Sequence, residues 1–336
     1  MQVPVEKLRN YYDMLKHLHS DIQKAELKKM LGISTEDEER LKGFENETEF
    51  KLIIYALGHV KKFVAIDESA NKLMNTTTSD FLVVTDTGRK LSIEVKSSKN
   101  GEIKFTRSLV SQKEDFSKDL GYESYFAIKL SGHWLFFNSE YIIKQNYKIS
   151  LNKDYLNSEL SEIFGEMLIL FPKGLKLFTH YSHTKRGLGI RHNEFGEAFR
   201  IKIKIPNGKS YNITANYPEK LFLSFVLENV EDVMSNQKQI IRRIDPDYTL
   251  VIEEFTHEYN VLLLSAFIMA PIKHIINEET KMEYTFEQFV EYLKYKDHAL
   301  TDPKVVFAAL GMLNSKTYPL IVFKGNKGYS IDSLLS

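Results

Sequence analysis

The sequence predicts an α/β domain built on a mixed sheet, followed by an α+β domain, with a helical segment ahead of both. Three observations carry this. Over residues 41–147, runs of alternating apolar residues interleave with stretches of helical periodicity, so strands and helices alternate along the chain. Beyond residue 147, FRIKIKIPNGKSYNITANY alternates on both sides of a PNG turn, which marks a hairpin. A length of 336 residues is also more than one core ordinarily serves, so at least two are expected.

Residues 1–40 place Val5, Leu8, Tyr12, Leu15, Leu18 and Ile22 at helical spacing. AELKKMLGISTEDEERL has the outline of a helix-turn-helix, but its second helix is acidic and phosphates would repel it. It reads as a lead-in helix with an N-cap at Ser34 or Thr35, and as a candidate dimer contact. Over 41–147 the strands are VKKFVAI, SDFLVVT, KLSIEVK and SYFAIKL, with helices over 47–57 and 109–120 and Gly121 closing the second. Over 148–336, YTLVIEEF and YPLIVFK are strands. EKLFLSFVLENVEDVM, YTFEQFVEYLKYK and DPKVVFAALGMLN are helices, the last with Pro303 at its first position. VLLLSAFIMAPIKHII, broken by Pro271 and Lys273, is too short to span a bilayer and is expected in a core.

The chemistry sits in SDFLVVTDTGRKLSIEVKSS. A hairpin turning near Thr87 puts Asp80 roughly opposite Glu94, and alternation puts Glu94 and Lys96 on one face. Opposed residues have Cβ atoms about 5 Å apart, close enough for two carboxylates to share a divalent ion. An ammonium beside them can orient or deprotonate a water attacking a phosphodiester. Taken alone, the same spacing also describes the wet face of an antiparallel strand.

The surroundings favour the first reading. Upstream, GFENETEFKLIIYALGHV sets Gly43, Glu47, an apolar stripe of Phe50, Ile54 and Leu57, then Gly58. Downstream runs SSKNGEIKFTRSLVSQKEDFSKDLGYESYFAIKLSGHWLFFN. This stretch, about residues 41–147, resembles the PD-(D/E)XK nuclease superfamily, most closely its archaeal Holliday-junction resolvase and Mrr-like restriction branches. The resemblance implies a restriction-endonuclease-like fold. It also implies that Asp80, Glu94 and the Val95 carbonyl hold the metal, that Glu47 completes the site from its helix, and that Lys96 is catalytic. Glu49 competes with Glu47, since residues two apart on a helix point about 200° apart. The helix after Lys96 would bring Arg107 or Gln112 to the scissile phosphate, and Ser79 stands where the superfamily has a proline.

Composition sets looser bounds. An apolar fraction of 43% supplies real cores, and the absence of cysteine excludes disulfides and cysteine-based zinc sites. A polar N-terminus without a signal peptide leads to the expectation of a cytoplasmic protein with no membrane partner. Lys plus Arg balance Asp plus Glu at 45 each, so any nucleic-acid contact must be local. Candidate patches are Lys61–Lys62, the loop from Lys96 to Lys104, Lys185–Arg186 with Arg191, and QKQIIRR. In HYSHTKRGLGIRHNEFGEAFR, His180, His183 and His192 lack the spacing of a metal site, whereas Lys185, Arg186 and Arg191 could meet phosphates.

The function expected is a Mg²⁺-dependent endonuclease acting on DNA, with Mn²⁺ able to substitute and with restriction or mobile-element biology as its setting. Residues 148–336 would position substrate or dimerise the chain, and a homodimer is expected because cutting both strands needs two sites. The alternatives are a nuclease-fold binding protein that does not cut, and a ribonuclease or ligand-gated effector nuclease.

Overall fold

The computed structural model describes residues 7, 8, 10, 11, 14, 18, 20–66, 78–206, 208–214, 238–256, 258–267 and 303–331. Helix α1 (Asp21–Leu31) starts where the Ser20 hydroxyl accepts from the Gln23 N–H and ends at Gly32 with φ 64°. The LGIS turn then gives Ser34 as the next N-cap. Ser34 and Asp37 satisfy each other's backbone N–H groups in a capping box.

The helix so begun, α2 (Thr35–Leu57), runs unbroken to a left-handed Gly58. The boundary expected after residue 40 therefore falls inside a helix. Gly43 costs about 1 kcal/mol against alanine there, too little to stop a run of good helix formers. Of the apolar stripe expected before it, Leu8 is buried and Leu18 packs against it, while Ile22 faces solvent. Tyr11, next to the expected Tyr12, is the buried tyrosine. Val5, Tyr12 and Leu15 lie outside the described residues.

The central sheet of the first unit has the order β1 (Val60–Ala65), β2 (Phe81–Thr85), β3 (Lys90–Ser98), β5 (Glu123–Leu130), β6 (His133–Asn138). All its pairings are antiparallel except β3 with β5, which are parallel and joined through β4 (Glu102–Lys104) and α3 (Arg107–Asp119). A parallel pair demands such a crossover. Both faces are covered, which is why the central strands read as nearly continuous apolar runs. On one face Val110 of α3 meets Phe126, Ile128, Leu135 and Phe137. On the other, Phe50 of α2 lies among Phe81, Trp134, Phe136 and Phe164.

The first stretch of this unit runs to Glu166, beyond the boundary expected at 147. The extra residues belong to it because they are tied back. β7 (Lys148–Ser150) pairs with β4, and the Glu159 carboxylate accepts from Tyr125 and Asn138. α4 (Ser139–Lys144) and the short α5 (Leu151–Asp154) and α6 (Leu160–Phe164) complete it.

The second unit starts at Met167. One sheet runs β15 (Tyr259–Leu263), β8 (Leu168–Pro172), β16 (Ile321–Lys324), β17 (Lys327–Ser330). The other runs β10 (Arg191–His192), β11 (Gly196–Lys204), β9 (Lys176–Ser182), β14 (Tyr248–Glu254), β13 (Lys238–Asp245), with β12 (Ser210–Thr214) also on β11. The expected PNG hairpin is the β11–β12 pair, and the helix starting at Pro303 is α7 (Pro303–Leu313). From the long apolar stretch, Leu262, Leu264 and Phe267 are buried. The helices expected over 219–234 and 284–296 lie outside the described residues. Among the described residues no helix is long and apolar enough to cross a membrane.

Phe50 is the ring on which that aromatic cluster converges, and it is fully buried. Phe50→Ala should lower the unfolding free energy by about 3–5 kcal/mol, read by chemical denaturation.

Candidate active site

The β2–β3 hairpin turns through Gly88, at φ 88°, with the Thr85 N–H donating to Arg89 O. Its register pairs Phe81 with Ile93, which sets Asp80 against Glu94, as a turn centred on Thr87 requires. The Asp80 N–H donates to Ile93 O, and Asp80 Oδ2 accepts from the Val95 N–H at 2.6 Å. Behind the pair, Ser92 Oγ donates to Ser79 Oγ at 2.7 Å.

Glu94 is buried, its side chain 4% exposed, and two lysines meet it. Lys96 Nζ donates to Oε1 at 2.6 Å. Lys113 Nζ lies 2.6 Å from Oε2, but its hydrogen bond goes to the Thr78 carbonyl, and no donor is aligned on Oε2. That oxygen is a buried acceptor held by charge alone. Lys96 is the accessible member of the group, at 38% exposure.

Electrostatics extend the cluster to α2. Burial pushes the Asp80 carboxyl well above the usual range, the charges of Glu94 and Glu47 push it the same way, and Lys96 only partly offsets them. Burial works against the Lys96 ammonium, yet Glu94, Asp80 and Glu47 outweigh it and raise its pKa. Lys96 is therefore charged at neutral pH, able to orient a water or stabilise a phosphate but not to accept a proton. Glu47 sits 4.0 Å from Lys51 on the same helix. Glu49 turns elsewhere, accepting from Trp134 Nε1 at 3.1 Å and pairing with Lys129. Of the two glutamates, Glu47 is the one whose charge acts on Asp80 and Lys96.

Arg107 and Gln112 do not join the carboxylates. Arg107 is exposed at the start of α3, 5.6 Å from the Tyr147 ring centre, and Gln112 is exposed beside Ser108. The inward face of α3 is Val110, Lys113 and Ser117. Lys113 is the residue that sequence reasoning missed. Its signal was positional, three residues after one inward side chain and four before the next. In the second unit, Lys185, Arg186 and Arg191 are exposed. His180 bonds to the Tyr248 hydroxyl and His192 stacks on Phe195, so these histidines do not converge.

Two features fit a divalent cation. Asp80 is crowded by like charges, which a cation would relieve, and Glu94 Oε2 is an acceptor with no aligned donor. Among the described residues no three carboxylate or imidazole groups already converge as a metal cluster. The ammonium groups of Lys96 and Lys113 occupy the Glu94 oxygens instead.

Because Asp80 holds its proton more tightly when folded, its ionisation opposes folding as pH rises through its elevated value. Asp80→Asn should therefore stabilise the metal-free protein at neutral pH, by of the order of 1 kcal/mol as is usual when a strained functional group is relieved. The gain should vanish below about pH 4, where the ordinary aspartate is also protonated. Thermal unfolding across pH reads this, and a pH-independent effect would contradict it.

Residues 42–167 match the family model described as archaeal Holliday junction resolvase (hjc), and the match ends at the break between the two units. A solved structure of Hjc, a Holliday junction resolvase from the archaeal hyperthermophile Archaeoglobus fulgidus, is similar at 24% identity. The similarity covers 36% of this chain and 96% of that one, with a TM-score of 0.30. No curated protein matches the chain. The matched residues contain Glu47, Asp80, Glu94, Lys96 and Lys113. Residues 42–167 are thus similar to the archaeal Holliday-junction-resolvase family of nucleases.

Proposed function

We propose that the protein is a metal-dependent endonuclease that hydrolyses DNA phosphodiester bonds, with branched DNA as the first substrate to test. The observation that carries this reading is the shared electrostatic field of Glu47, Asp80, Glu94 and Lys96, drawn together from one helix and one hairpin. The family match supports the reaction class and supplies the branched substrate.

In this reading Asp80, Glu94 and the Val95 carbonyl hold Mg²⁺ or Mn²⁺, and Glu47 supports the ion directly or through water. A bound divalent ion supplies Lewis acidity toward the phosphate and lowers the pKa of water. The chain's own groups do the rest. The Val95 N–H fixes one Asp80 oxygen, and the other would serve the ion. Lys113 holds the second Glu94 oxygen by charge at 2.6 Å. Lys96, charged and accessible, leaves Glu94 for the scissile phosphate and the attacking water. A homodimer would present two such sites to two strands. A restriction-like or mobile-element setting rests on the large second unit.

A second reading has a specific observation behind it. Both Glu94 oxygens face ammonium groups, an arrangement that a nuclease fold retained only for binding would also show.

The experiment is incubation of four-way junction DNA, plasmid and RNA with the protein in Mg²⁺, Mn²⁺ or EDTA. Metal-dependent scission of DNA is expected, and binding without scission under every condition would favour the second reading. Lys96→Ala should lower the cleavage rate by about 100-fold or more. Its DNA affinity should stay nearly unchanged, since one lysine is a small share of the phosphate contacts. Mn²⁺ at about 100 times its Kd should stabilise the wild type by about 2.7 kcal/mol. It should stabilise Asp80→Asn far less.

A further inference from the structure

The outward face of the β9–β11–β14 sheet carries a pattern that the nuclease site does not use. Burial of Leu177, Thr179, Ile201, Ile203 and Val251 fixes which side of these strands is core. Alternation then sends their neighbours to the other side, and the register lines them up in rows. Arg200 lies opposite His180, which lies opposite Leu250, itself opposite Arg242. The next row is Lys202, Phe178, Ile252 and Ile240. The third is Lys204, Lys176 and Glu254.

Arg200, Lys204 and Arg242 are exposed, and Phe178, His180, Lys202, Leu250 and Ile252 are half-buried, so the cations are reachable and the apolar strip between them partly so. Among the described side chains of these rows Glu254 is the one acid, and it is already paired with Lys176 at 3.0 Å. Lys202, Lys204 and Arg242 make no ion pair among the described residues. Lys185 adds its charge at one end, 4.4 Å from the Phe199 ring centre and 5.5 Å from that of Tyr248. Burial, and then the charges of Arg200, Lys185 and Lys202, lower the pKa of His180, so the middle of the face sits in a positive field.

Such an arrangement is costly for an unliganded sheet. Lys204 stands directly opposite Lys176, and like charges so placed destabilise a pair of strands. In a chain whose charges balance overall, concentrating uncompensated cations on one face implies an anionic partner. The rows also say which kind. Cations recur on alternate residues, about 6.7 Å apart along a strand, at a spacing suited to successive phosphates of an extended strand. Between them runs the strip of Phe178, His180, Leu250 and Ile252, an apolar and aromatic surface on which bases can lie. A duplex hides its base faces and has no use for such a strip, whereas an unpaired strand does.

We propose that this face binds single-stranded DNA, with Arg200, Lys202, Lys204 and Arg242 taking phosphates and the Phe178–His180 strip taking base faces. The proposal rests on the second unit alone and goes beyond the nuclease reading.

The test is fluorescence anisotropy of the full chain in EDTA, with a labelled oligo-dT and a duplex of equal length. The wild type should bind oligo-dT more tightly than duplex. Lys202→Glu combined with Arg242→Glu should weaken oligo-dT binding by about tenfold or more and flatten its log–log salt slope by about 0.7 per lost contact. Lys327→Glu, a single charge reversal on the other sheet, should leave it unchanged. Phe178→Ala should weaken oligo-dT binding by about 5- to 100-fold while sparing duplex binding. Thermal unfolding checks that each variant folds, and the charge-reversal pair decides the matter if Phe178→Ala does not. Absence of oligo-dT binding, equal binding by the charge-reversal pair, or a preference for duplex would overturn the proposal. Cleavage in Mg²⁺ is scored separately. A protein that cuts DNA but binds oligo-dT without this face refutes only the present inference. One that binds through this face but never cuts refutes only the nuclease reading.

Discussion

A glutamate carboxylate at 4% exposure in the middle of a sheet would cost several kcal/mol if left alone, and the architecture of the first unit follows from holding it. Glu94 needs cations on both sides, so β3 must place Lys96 two residues on, and α3 must dock with Lys113 turned inward. The parallel pairing of β3 with β5 supplies that docking, because the crossover between them is the helix that carries Lys113. The hairpin register supplies Asp80, and the aromatic packing of Phe50 fixes the helix that carries Glu47. Each element can be traced to one buried charge and its neighbours.

The carboxylates and the lysines are finely matched in sign, and this bears on function. Glu47, Asp80 and Glu94 face Lys51, Lys96 and Lys113, yet Asp80 still has its pKa raised. Balanced charge keeps the site folded, while the residual crowding of carboxylates leaves room for a further cation. A binding protein with no use for metal would gain stability by replacing Asp80 with a neutral residue.

Much of this was legible in the sequence, where local rules apply. The pairing of Asp80 with Glu94 follows from counting back from a turn centred on Thr87, and of the two N-caps the sequence offered, Ser34 is the one with Asp at the third helical position. The boundary drawn after residue 40 failed because no residue there is a strong enough breaker to stop the helix from Thr35 to Leu57. Lys113 escaped notice because a lysine on an amphipathic helix ordinarily lies on the wet side. Only the burial of Val110 and Ser117 reveals its direction. In the second unit the β11–β12 hairpin was readable, but β9 pairs with β14 across a long separation that no local pattern encodes.

The central proposal is that Asp80 and Glu94 form a cation site from which Lys96 withdraws. Anomalous diffraction from crystals grown with Mn²⁺ tests it most directly. The account predicts one strong peak between the two carboxylates, with Lys96 turned away from Glu94 and Lys113 still bonded to the Thr78 carbonyl. A crystal with Mn²⁺ bound elsewhere, and with both ammonium groups still on Glu94, would contradict it.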